Sequence, residues 1–180
     1  MKFSARGFTL MELLVVVAII SIIGVYALSN YKSFGEDQNL KNSVLDIQSK
    51  LRTAQANATS NTKCDTQYNA TWEVGFENDN AVNLNCRELP DNIYTKKTIN
   101  LGNIILTSVR GEPDASCPAE TAFSVIFNPL SGNINFKDDN PGGGILDGCS
   151  KITLTLENTK TIPPIQKKLI IEKGGRIYAE

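Results

Sequence analysis

The chain opens with an apolar run. From Phe8 to Leu28 there are 21 residues, and only Thr9, Glu12 and Ser21 among them are clearly polar. At about 1.5 Å per residue, a helix of that length covers roughly 30 Å, the thickness of a bilayer core. From Asn30 to Thr59 the pattern changes. Leu40, Val44, Ile47, Leu51, Ala54 and Ala58 recur at steps of three and four, with no Pro between them. Lys41, Gln48, Lys50, Arg52 and Gln55 fill the other side. That spacing predicts one amphipathic helical stripe continuing the apolar helix.

After Thr59 the period drops to two. Trp72–Phe76 alternates, Glu77-Asn78-Asp79-Asn80 reads as a turn, and Ala81–Arg87 returns. Thr98–Leu101 and Ile104–Val109 stand on either side of Gly102-Asn103. Phe123–Phe127 and Asn133–Phe136 flank the turn residues Asn128-Pro129-Leu130-Ser131-Gly132. Ile152–Leu156 alternates with Thr, and Leu169–Ile171 and Arg176–Ala179 surround Gly174-Gly175. One long helix followed by about eight short strands predicts an α+β fold, with the helical stripe seated on antiparallel sheet. Trp72, Phe76, Phe123, Val125, Phe127 and Ile170 are the expected core.

The N-terminal run carries the most specific chemistry. Lys2 and Arg6 precede it, which keeps the short N-terminal flank cytoplasmic and places the rest outside. A secretory signal peptide has a shorter apolar stretch and a small residue after it. Here the run is long, holds Glu12, and the small residue, Gly7, comes first. A carboxylate in hydrocarbon costs about 2.5–3.5 kcal/mol at mid-membrane, and less near the interface. It therefore calls for a cation in the same layer.

Arg6-Gly7-Phe8-Thr9-Leu10-Met11-Glu12-Leu13-Leu14 resembles the processing motif of type IV prepilins and type II secretion pseudopilins. The resemblance implies cleavage by a prepilin peptidase after Gly7 and N-methylation of Phe8. The new amine of an incoming subunit would then meet Glu12 of a subunit already assembled. It also implies sister pilin or pseudopilin subunits, a membrane assembly platform and a cytoplasmic motor as partners. The expected layout is a leader over 1–7, a transmembrane polymerisation helix over 8–29, its amphipathic continuation over 30–60, and a β-rich extracytoplasmic domain over 61–180. Most pilins have a Pro in the second half of the apolar segment, where this chain has Ser29.

Losing the leader removes Lys2 and Arg6, leaving 16 basic against 19 acidic residues, a net charge of −3. That balance does not draw the whole domain to nucleic acid or anionic lipid. Cys64, Cys86, Cys117 and Cys149 form no CxxC, and the chain has no His. In an exported domain an even count predicts two disulfides rather than zinc ligation. Three connectivities are open; the sequential one, Cys64–Cys86 with Cys117–Cys149, is favoured because each pair closes a modest loop. Asp138-Asp139-Asn140 with Asp147 offers oxygens, but not at EF-hand spacing. Asn57-Ala58-Thr59 and Asn69-Ala70-Thr71 match the glycosylation acceptor pattern and carry little weight here. Without His, P-loop or Gly-x-Ser-x-Gly, the chain reads as no enzyme, with no cofactor and no metal.

The C-terminal half supplies a second resemblance. Phe127-Asn128-Pro129-Leu130-Ser131-Gly132-Asn133-Ile134 is similar to a hairpin of the minor pseudopilin H (GspH/FimT) family, and Leu169–Ile177 to its last strand pair. This implies a minor subunit near a filament tip. Two alternatives stay open. A DNA-binding minor pilin for natural transformation would use the basic end of the chain, Lys167, Lys168, Lys173 and Arg176, with Tyr178 for stacking. Some FimT-like pilins bind DNA through Gly-Arg-x-Arg, and here Gly175-Arg176-Ile177-Tyr178 lacks the second Arg. A major pilin is the other alternative. Secretion, pilus and competence systems all fit.

Overall fold

The computed structural model describes residues 9–77, 80–89, 92–112, 117, 122–139 and 143–180, apart from the side chains of 26–33. The chain divides into two compact units, residues 1–36 and 37–180. One α-helix, α1, runs Leu10–Thr59 and passes Gly24 and Gly35 without interruption.

In the second unit α1 is followed, among the described residues, by nine strands. They are β1 (Thr71–Phe76), β2 (Ala81–Glu88), β3 (Asn92–Asn100), β4 (Ile104–Glu112), β5 (Phe123–Phe127), β6 (Ile134–Asp138), β7 (Lys151–Asn158), β8 (Ile165–Glu172) and β9 (Ile177–Ala179). They build two sheets, ordered β3-β2-β1-β5-β6 and β4-β7-β8-β9, and every pairing is antiparallel. The fold is thus α+β, a helix packed on antiparallel sheets.

The helical stripe is what seats α1. Leu40, Val44, Ile47, Leu51, Ala54 and Ala58 are all buried, and they join residues of both sheets in one core. In the first sheet, period-two alternation brings Trp72, Val74 and Phe76 opposite Phe127, Val125 and Phe123 on one face. The Phe76 and Phe123 rings stack with centroids 4.6 Å apart. In the second sheet, Ile152, Leu154 and Leu156 of β7 and Leu169 and Ile171 of β8 face the same core.

Two strand boundaries shift, and Ile170, buried as expected, stands outside the core cluster, which takes its neighbours Leu169 and Ile171. In a run of three apolar residues, alternation cannot say which one faces out until the pairing is fixed. The strand expected at Thr98–Leu101 begins at Asn92, and Leu101 falls beyond its end. Its register with β2 shifts between Leu84 and Asn85, so Lys96 has no opposite residue and simple alternation breaks there. The last long strand likewise begins at Ile165 rather than Leu169.

Gly102-Asn103 separates strands of different sheets, so the chain changes sheet there rather than closing a hairpin. Gly102 has φ +61°, a left-handed value that suits Gly.

Candidate functional site

Gly7 and Phe8 lie outside the described residues, as do the rest of the leader and the 78–79 and 140–142 segments of two expected turns. The first described residue, Thr9, immediately precedes α1. Its Oγ1 accepts a hydrogen bond from the Glu12 backbone N–H at 3.3 Å, and its carbonyl accepts the same N–H at 3.1 Å. Thr9 therefore caps the helix, with Glu12 in the first turn. Thr-x-x-Glu before an apolar run is the sequence signature of a capping box. That signal was available in Thr9-Leu10-Met11-Glu12, and reading Glu12 only as a charge in oil missed it. An acid there also complements the positive end of the helix dipole.

Beyond the cap the side chains Leu10 to Ile23 are exposed, including Leu13, Leu14, Ile19, Ile20 and Ile22. Among the described residues no helix is long and apolar enough to cross a membrane. The described part of the apolar run stops at Val25, whereas the sequence continues apolar to Leu28, apart from Phe8 at the other end.

In the second unit, the hairpin loop that carries the GspH/FimT resemblance caps the other end of α1. Asn61 takes φ +52° and turns the chain out of the helix. The Leu130 N–H, from the β5–β6 loop, then donates to the Ala58 carbonyl at 2.9 Å. Gly132, at φ +64°, approaches so closely that a Cβ there would lie 2.5 Å from Thr59 Cγ2. The β8–β9 turn is tied down by the polar side of α1. Gln48 Nε2 donates to the Ile177 carbonyl at 3.0 Å, Arg52 Nη2 to the same oxygen at 3.5 Å, and Gln55 Nε2 to the Gly175 carbonyl at 3.3 Å.

The cysteines pair as Cys64–Cys86 and Cys117–Cys149. Beside the first disulfide lies a buried carboxylate that the sequence did not single out. Glu88 Oε1 accepts the backbone N–H groups of Asp65, Thr66 and Gln67 at 2.8, 2.7 and 2.8 Å, and Oε2 accepts the Thr66 hydroxyl at 2.9 Å. Desolvation pushes its pKa up, but these donors together outweigh it and hold the carboxyl at about 2. Three consecutive amides aimed at one oxygen form an anion nest. No side-chain pattern announces such a nest, because backbone groups build it.

The four basic residues of the DNA-binding alternative have different surroundings. Lys167 pairs across from Leu156 and Lys168 from Thr155, so the two point to opposite faces of the second sheet. Lys173 Nζ donates to the Asp147 carbonyl at 3.1 Å. The Arg176 guanidinium lies over the Tyr178 ring at 5.4 Å and 3.8 Å from Glu172, whose carboxylate also accepts the Tyr178 hydroxyl. In the acidic loop, Asp139 is engaged by Lys137 Nζ at 3.0 Å and by the Ser124 hydroxyl. Asn140 lies outside the described residues.

The comparisons fall on the N-terminal segment alone. No curated protein and no solved structure matches the chain. Residues 2–28 match the prokaryotic N-terminal methylation motif. This motif is the prepilin signal of type IV pilin-like proteins, whose subunits are structural rather than enzymatic, and it marks a membrane-anchored precursor processed by a prepilin peptidase.

Proposed function

We propose that the protein is a minor pilin or pseudopilin subunit that is cut after Gly7, N-methylated at Phe8 and assembled through α1 into a pseudopilus or pilus. The match over residues 2–28 carries this reading. A helix over the 21-residue run Phe8–Leu28 would be long enough to anchor the precursor, with the N-terminus cytoplasmic and the β-rich domain outside. In a filament the exposed apolar side chains from Leu10 onward would pack against sister helices rather than lipid. Glu12 would take the Phe8 ammonium of a neighbour and fix the axial offset. The minor, GspH/FimT-type assignment is supported by the 127–134 hairpin and by its task here of closing the C-terminal end of α1.

Glu12 has two separable jobs, and a pair of substitutions distinguishes them. Glu12→Gln retains a side chain suited to a capping box but removes the charge, whereas Glu12→Ala removes both. With processing intact, the pairing reading expects both variants to stay in the membrane and be lost from sheared filaments. Incorporation of Glu12→Gln at the wild-type level would show that the cap, not the charge, is what assembly needs.

A further inference from the structure

A β-sheet edge carries unpaired N–H and C=O groups that invite another strand, and folded proteins usually cover or disrupt them. Among the described residues one edge of each sheet has a cover. β6 is bridged by the segment around Ile145, with Leu146 N–H on the Phe136 carbonyl at 2.8 Å and Asp138 N–H on the Gly144 carbonyl at 3.0 Å. β9 is overlaid by Gln48, Arg52 and Gln55 of α1. Among the described residues β4 has no such cover, since Cys117 meets its face at Gly111, but its charges, Arg110 and Glu112, are of both signs.

β3 differs. It is nine residues long, it closes the five-stranded sheet, and all its side chains except the half-buried Tyr94 and Ile99 are exposed. Among the described residues no segment pairs with its outer side. At about 3.4 Å per residue it offers roughly 30 Å of edge. Its residues favour strand: Ile93, Tyr94, Thr95, Thr98 and Ile99 are β-branched or aromatic.

Its charge is one-sided. Lys96 and Lys97 sit at the middle, and β3 contains no acid. Among the described residues neither lysine forms an ion pair with a carboxylate. Lys96 lies over the Tyr94 ring at 5.5 Å. Lys97 stands beside Lys50 of α1. Burial first, and then the Lys97 ammonium, lower the pKa of Lys50, with Asp46 acting in the opposite direction. The middle of the strand thus presents crowded positive charge.

We propose that the outer edge of β3 is a docking strand for an extended, acidic segment of a partner protein, which adds to the sheet beside Asn92–Asn100. Main-chain hydrogen bonds would supply the pairing, and Lys96 and Lys97 would select carboxylates in the incoming strand. A second copy of β3 is disfavoured as the occupant. Thr95-Lys96-Lys97-Thr98 reads the same in both directions, so antiparallel self-pairing centred there would set Lys96 against Lys97. The proposal does not depend on how the N-terminus is processed.

The test uses the full-length protein in detergent micelles and labelled nine-residue peptides of alternating Glu and Val. Three peptides are compared: the acidic one, the same peptide with a central Pro and unchanged charge, and a version with Lys for Glu. The acidic peptide is expected to bind saturably, to protect β3 amides from hydrogen exchange, and to bind at least about tenfold more tightly than either control. In the Lys96→Glu/Lys97→Glu variant the preference should invert toward the Lys peptide, an outcome that loss of folding cannot mimic. Equal binding of the Pro-containing peptide would reduce the interaction to charge alone and overturn strand addition. Absence of binding would mean that the lysines merely guard the edge. Protection of β3 that rises with protein concentration and needs no peptide would make a second copy the occupant.

Discussion

Glu88 shows how one side chain can hold a segment that the strand pattern leaves loose. Its carboxylate receives three backbone amides and one hydroxyl from residues 65–67, next to Cys64. The folded pKa is about 2, against an ordinary value of 4.5. A depressed carboxylate pKa stabilises the fold above the unfolded-state value, and that contribution is lost as pH falls through the folded-state value. Glu88→Gln should therefore lower the urea midpoint at pH 7, and its difference from the wild type should shrink between pH 4.5 and pH 2. A constant difference across that window would mean that the ionised form is not what matters. Gly132 makes a second residue-scale case. It combines φ +64° with a Cβ position 2.5 Å from Thr59 Cγ2, so Gly132→Ala should cost more than about 1 kcal/mol in denaturant titration. By contrast, Gly24 and Gly35 have open space at their Cβ positions and no such constraint.

At the scale of elements, periodicity showed most where one face alone is buried. The six-residue stripe from Leu40 to Ala58 was readable because mostly polar residues occupy the other faces of that half of the helix, and all six are core residues in the fold. Leu51→Ala should accordingly destabilise the second unit by about 2–5 kcal/mol, whereas Leu45→Ala, at a side chain left half exposed, should stay within about 0.5 kcal/mol. Thermal or urea unfolding of the two variants gives the comparison. Alternation likewise located β1 and β5, where Trp72, Val74 and Phe76 face Phe127, Val125 and Phe123. It failed at β3, because the bulge at Lys96 shifts the register and most side chains on either side are exposed. It could not assign a face within Leu169-Ile170-Ile171, where no polar residue marks one, although Ile170 is buried as expected. The Cys64–Cys86 link spans 22 residues. On the loop-entropy account, removing it by Cys64→Ser/Cys86→Ser should cost about 3 kcal/mol.

For the whole molecule, what could be read early and what could not divide along the chain. The N-terminal methylation motif is local, confined to residues 2–28, so the sequence alone displays it. The rest of the chemistry comes from distant parts of the chain. The Glu88 nest, the Leu130 contact that closes α1 and the different surroundings of Lys167, Lys168, Lys173 and Arg176 all depend on tertiary packing that no spacing encodes. The account of the protein as an assembling subunit rests on the N-terminus, and its most direct test is there. Mass spectrometry and N-terminal sequencing of protein from cells with an active prepilin peptidase should return a chain that starts at N-methylated Phe8. Recovery of a chain still beginning at Met1, or of one beginning beyond Leu28, would contradict it.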